Sequence, residues 1–140
     1  MEVLSLERTL TELDHVRLSK LVQRHKSAIG AQSPPLPIEL VLDEADVVHW
    51  RQVPPGVITM HSRVLVKDPQ TGAQRQLTLC YPDDAAPADG FVSVLSPVGW
   101  SLLGREVGAT VRWHTPAGDE RAAQILGILF QPESSGQPTV

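Results

Sequence analysis

Cys80 is the one cysteine in this chain of 140 residues. No disulfide can close within the chain, which suits a reducing cytoplasm. Aromatic residues make up only 4%, too few for a base-stacking RNA platform. An excess of basic residues is also missing: 12 Lys and Arg stand against 16 Asp and Glu, for a net charge of −4. Binding to nucleic acid by counterion release needs clustered cations, so a broad or sequence-specific nucleic-acid face is not expected. No run approaches the roughly 20 apolar residues of a membrane span. The opening Met1–Arg8 has no basic flank followed by a long apolar stretch, so no secretory signal is read there. The expectation is a cytoplasmic protein away from membranes.

The usual signatures of enzyme chemistry are equally sparse. His15, His25, His49, His61 and His114 are scattered without a metal-ligand spacing, and one cysteine makes no zinc ribbon. Gly99 to Gly104 fits neither a dinucleotide loop nor a P-loop, and no serine sits in a G-x-S-x-G elbow. Cys80 lies within an alternating run, which reads as a buried strand cysteine rather than a nucleophile. Asp43, Glu44 and Asp46 form the densest acidic group, but on a helix Glu44 turns about 100° away from the face shared by Asp43 and Asp46. They read as a solvated face, as do Asp83, Asp84 and Asp89. No metal, cofactor or catalytic residue is assigned.

What is present is 41% hydrophobic and 20% charged residues, the balance of a folded protein with one domain or two small ones. The pattern changes character near residue 53. Before it, Thr11 followed by Asp14 predicts a helix start. Leu18, Leu21, Val22, His25 and Ile29 continue at helical spacing to a stop at Gly30. Pro34, Pro35 and Pro37 break the helix, and Pro37 opens a second one carrying Ile38, Val41, Leu42, Ala45 and Val48. Two helices and a short loop read as an antiparallel hairpin of roughly 25 Å and 20 Å arms. Val53-Pro54-Pro55-Gly56 marks the joint.

Beyond the joint the alternation is β-like. Strands are expected from Val57 through Lys67, over Leu77–Tyr81, over Phe91–Leu95, at Val111–Trp113, and from Arg121 to Gln131 with Ala123, Ile125, Gly127 and Leu129 on one face. Ser96 and Pro97 start a short helix that Gly104 ends. Trp100, in that helix, either plugs the sheet or stands as a partner anchor. The tail from Pro132 is expected to be loosely ordered. The whole reads as α+β: an N-terminal two-helix hairpin, then an antiparallel sheet on one short helix.

A set of motifs recurs in fixed order: Val57-Ile58-Thr59-Met60-His61-Ser62-Arg63-Val64, Leu79-Cys80-Tyr81-Pro82, Ser93-Val94-Leu95-Ser96-Pro97-Val98-Gly99, Leu102-Leu103-Gly104, Thr115-Pro116-Ala117-Gly118 and Phe130-Gln131-Pro132-Glu133. Together they resemble the C-terminal domain of Gre-type transcript-cleavage factors, in the branch that holds the regulators of nucleoside diphosphate kinase. The match covers residues 53–133; over residues 1–52 it is architectural only. The resemblance implies a coiled-coil arm at 1–52 and an FKBP-like domain at 53–140. It implies docking at the rim of the RNA polymerase secondary channel, by a monomer, through Ser93, Leu95, Ser96, Pro97 and Trp100. It also implies that cleavage factors carry acidic residues at the arm tip to hold a metal ion. The tip expected here, Ser27 to Leu36, has no Asp or Glu. A polymerase-binding regulator that does not stimulate cleavage is therefore the first reading. An active cleavage factor and an FKBP-like ligand-binding module unrelated to polymerase are the alternatives.

Overall fold

The structure is a computed structural model that describes residues 8–29 and 36–135. Strand β1 (Thr9–Thr11) leads directly into helix α1 (Glu12–Ile29). The threonine expected to cap this helix does so: Thr11 Oγ1 accepts the Asp14 N–H at 3.0 Å. The stop expected at Gly30 and most of the 27–36 loop lie outside the described residues. Helix α2 (Pro37–Glu44) starts at its proline and buries Ile38, Val41 and Leu42. Glu39 ties its start, accepting the Leu36 N–H at 2.7 Å and pairing with Lys26 of α1 at 3.1 Å. Farther along, His15 of α1 bonds the Leu42 carbonyl at 2.9 Å.

Helix α2 is shorter than the apolar spacing predicts. Ala45 is extended, and strand β2 (Asp46–Val48) pairs in parallel with β1, Leu10 opposite Val47. The β1 pairing thus overrides the helical periodicity of Ala45 and Val48. Asp46 consequently leaves the helix, so Asp43 and Asp46 do not share a helical face. A parallel pair this short has to be reached through the intervening two helices, which is why sequence pattern alone does not show it.

The main sheet has the order β5-β4-β3-β7-β6, built from β3 (Arg63–Lys67), β4 (Gln74–Cys80), β5 (Phe91–Ser93), β6 (Thr110–His114) and β7 (Glu120–Phe130). Three of its four pairings are antiparallel; β4 and β5 are parallel. The sheet is therefore mixed rather than all antiparallel as expected. The loop from Tyr81 to Gly90 makes two 3-10 turns and brings the chain back to the edge of β4 in the same direction.

Strand β3 starts at Arg63, not at Val57. Residues 57–62 are a buried turn in which His61 holds φ +68, a left-handed conformation rare outside glycine. Strand β7 carries two register shifts against β3. Each adds a residue and flips the alternation. Ala123 and Ile125 are buried, whereas Leu129 is 49% exposed rather than facing the core with them. The tail also departs from expectation: Gln131, Pro132 and Glu133 are buried, and Gln131 Nε2 donates to the carbonyls of Pro54 (2.9 Å) and Val57 (2.7 Å). Residues 136–140 lie outside the described residues.

One cluster of buried side chains joins both halves. Leu10, Leu18, Val22, Ile38, Val41 and Leu42 pack with Ile58, Met60, Val64, Leu79, Val94, Leu102, Leu103 and Ile125.

Candidate docking site

Helix α3 (Pro97–Leu102) and the end of β5 form the segment that carries Ser93, Leu95, Ser96, Pro97 and Trp100. These residues are brought together in one tightly bonded turn. Ser96 caps α3, accepting the Gly99 N–H at 3.2 Å, and its own hydroxyl donates to Ser93 O at 2.6 Å. Ser93 Oγ accepts the Leu95 N–H at 3.0 Å. Pro97 fills the first helical position, where an N–H would have no partner. Ser101 closes the turn by donating to Pro97 O at 2.5 Å.

Gly99 is what permits this arrangement. A Cβ there would stand 1.8 Å from Ser93 O and 3.0 Å from Val94 Cα. Only a residue without a side chain lets α3 lie so close to the β5 end. The helix is thereby fixed, and its outer residues are presented on a rigid support.

Trp100 is neither a full plug nor a free anchor: it is half-buried and packs against the core. So do Leu95 and Val98. Each keeps part of its surface open, the condition for an apolar contact on a partner.

Beside α3 a sheet face holds a cavity of about 510 Å³, lined by Val66, Leu77, Val92, Val98 and Trp113 with Arg75 and Arg121 among its polar residues. An apolar cavity of this size with a few charged groups is the usual form of a recognition pocket. Sequence reading singles out Trp100 and passes over Trp113, Arg75 and Arg121. They come from separate strands, so no local spacing signals their convergence.

Arg8 is another residue that sequence reading misses. Its Nη1 donates to Trp100 O (2.7 Å) and Leu103 O (2.7 Å), with a longer contact to Ser101 O (3.3 Å). These are the free carbonyls at the end of α3, where a cation is electrostatically favoured. Burial and the charge of Arg105 bring the Arg8 pKa down to about 10 against a weaker opposing pull from Glu44, so it stays charged at neutral pH.

A polar cluster lies at the turn before β3. Thr59 Oγ1 donates to Glu133 Oε1 at 2.7 Å, and Thr59 N donates to Ser62 Oγ at 2.9 Å. Burial raises the Glu133 pKa against the Thr59 hydrogen bond, and burial lowers that of His61, which meets the Tyr81 ring edge-on at 5.5 Å. Burial also pushes the Cys80 thiol up, so the thiolate needed for nucleophilic chemistry is disfavoured. Among the described residues no group of three or more His, Cys, Asp or Glu is placed to hold a metal ion, and no helix is long and apolar enough to cross a membrane.

The family model for the GreA/GreB transcription elongation factor C-terminal region matches residues 53–130. The chain is 32% identical over 127 residues to the regulator of nucleoside diphosphate kinase of Escherichia coli strain K12, covering 91% of this chain and 92% of that protein. It is 44% identical over 67 residues to the transcription elongation factor GreA of Solidesulfovibrio magneticus, covering 48% of this chain and 40% of that one. Among solved structures, the prokaryotic transcription elongation factor GreA/GreB from Nitrosomonas europaea superposes with a TM-score of 0.69 at 29% identity, covering 89% of this chain and 98% of that chain. The match reaches past the C-terminal region into the helices, over nearly the whole length of the Escherichia coli regulator. With its Ser-Pro turn built on Gly99 and its mixed curled sheet, this chain belongs to the GreA/GreB family of transcription elongation factors.

Proposed function

We propose that the chain is a transcription regulator that docks on RNA polymerase at the rim of the secondary channel and does not stimulate transcript cleavage. The observation that carries this reading is a pairing of presence with absence. The Ser93–Trp100 turn is held rigid and partly open beside an apolar cavity, while the expected arm tip, Ser27 to Leu36, contains no carboxylate. Metal-assisted cleavage requires carboxylates to bind and orient the ion. The chain thus keeps the means to dock and lacks the means to deliver a metal ligand.

In this reading residues 1–52 act as a short antiparallel two-helix arm and residues 53–140 as the FKBP-like docking domain. The Lys26–Glu39 and His15–Leu42 links support an antiparallel arm, because each joins one end of the pair to its opposite. Contact with the polymerase runs through Ser93, Leu95, Ser96, Pro97 and Trp100. The chain works as a cytoplasmic monomer, without cofactor, metal, membrane or sequence-specific nucleic-acid contact. In this reading the chain acts as a regulator rather than as an enzyme in its own right.

The test is a cleavage assay on backtracked elongation complexes combined with a binding assay on core polymerase. Binding without release of short 3′ RNA fragments is the expected result. Cleavage stimulation would overturn the second half of the reading, and absence of binding would overturn the first.

A further inference from the structure

Two arginines, Arg8 and Arg105, meet at the seam between β1 and the turn after α3. Arg105 is only 8% exposed. Its backbone is bonded, N–H to Leu102 O at 3.0 Å and carbonyl from the Ile58 N–H at 2.9 Å. Among the described residues, its guanidinium has neither a hydrogen-bond acceptor nor a carboxylate partner. Arg8 lies against the same turn: the Thr9 N–H donates to Gly104 O at 3.1 Å, and a Cβ at Gly104 would stand 3.0 Å from Arg8 Cβ. One nitrogen of Arg8 is occupied by the α3 carbonyls. Burial lowers the pKa of both arginines, and Arg105 further disfavours the charge on Arg8. The opposing charge is Glu44, which is exposed.

A largely buried guanidinium whose nitrogens have no protein acceptor is costly, and a native structure that retains one calls for an explanation. Arginine forks match the geometry of oxyanions, which they hold through paired N–H bonds. We propose that Arg8 and Arg105 form a binding site for a phosphate-type oxyanion at the seam between β1 and the turn after α3. A phosphoryl group carries about −1.5 to −2 charges at neutral pH and balances both guanidiniums. A single carboxylate balances one. The bound anion would bridge β1 to the turn that follows the Trp100 helix.

The test is thermal unfolding of the full chain at neutral pH and constant ionic strength, with chloride replaced stepwise by inorganic phosphate or, in a second series, by acetate. The expected result is a saturable rise in Tm of about 3 °C with phosphate and none with acetate. Arg105→Met abolishes the rise and, in chloride, melts no lower than the parent chain, because it removes an unpaired buried charge. Arg105→Lys keeps a reduced rise. A Tm indifferent to phosphate overturns the site. So does an equal rise in Arg105→Met, which would be general exclusion of the salt from the surface. A rise that acetate reproduces overturns the phosphate assignment in favour of a carboxylate. Should Arg105→Met fail to fold, calorimetric titration of Arg105→Lys with phosphate decides: weaker binding than the parent supports the site, and equal binding overturns it.

Discussion

Asp14 Oδ2 accepts the backbone N–H of Met60 at 3.1 Å, a link across 46 residues from the first turn of α1 to the turn that precedes β3. Both residues are fully buried. A carboxylate that satisfies a buried N–H makes a charge-assisted bond, and its removal leaves that donor without a partner. Asp14→Ala is expected to cost about 2–3 kcal/mol, read as a lower denaturation midpoint at unchanged slope. An unchanged midpoint would mean that the helix and the turn are held together by the apolar core alone.

Gly99→Ala tests the support of the docking turn. Because its Cβ would collide with the Ser93 carbonyl and Val94 Cα, both backbone atoms, no side-chain rotation relieves the contact. The expected loss is about 3 kcal/mol, in the upper range for overpacking. The same substitution at Gly127, where nothing lies within 4 Å of the added Cβ, is expected to be close to neutral in unfolding experiments.

The pH dependence of stability follows from His61 and Glu133, with opposite signs. Burial, with Arg17, holds the His61 pKa below its ordinary 6.5 against the pull of Asp84 and Glu133. Its neutral form is favoured in the folded chain, so the stability it contributes is present above about pH 6.5 and is lost as pH falls through the depressed value. His61→Asn is expected to flatten that acid loss. Asparagine also tolerates the positive φ at this position.

For Glu133 burial raises the pKa above its ordinary 4.5, while the Thr59 bond opposes the rise. Its stabilising contribution is present at low pH and is lost as pH rises through the raised value. The stability of Glu133→Gln relative to the parent chain is therefore expected to improve as pH rises from the ordinary 4.5 through the raised value. Equilibrium denaturation at several pH values checks both signs, and parallel curves for parent and variant would refute the assignment.

Trp100→Ala is expected to weaken polymerase binding by about 30-fold, the scale of an interface hot spot. Trp100 is half-buried against the core, so the variant's fold must be confirmed by circular dichroism before the binding is read. Leu95→Asp, on the same surface, is a second probe. A binding constant unchanged in both variants would move the contact elsewhere, with the cavity around Trp113 next in line.

How far the sequence reveals this molecule depends on the range of the signal. Thr11 and Ser96 are readable as caps because a cap and its target N–H lie three residues apart. The Ser93–Trp100 segment enters as a candidate site only through its resemblance to the Gre-type Ser-Pro motif, which is contiguous in the sequence. Features made from distant partners are not readable in this way. The β1–β2 pair needs Leu10 beside Val47, the parallel β4–β5 pair needs the return of the 81–90 loop, and Arg8 reaches carbonyls more than ninety residues away. The bulges in β7 are hidden for another reason: Leu129 fits the alternation in sequence, and only pairing with β3 shows the extra residue. Glu133 looks like a tail residue until Thr59 is found beside it.

The proposed docking site is one shared with cleavage factors of the same family. The most direct measurement is equilibrium binding of the purified chain to RNA polymerase core, with a Gre cleavage factor titrated in as competitor. Binding that the competitor displaces to completion is the expected result. Binding that survives saturating competitor, or no binding at concentrations of tens of micromolar, would contradict it.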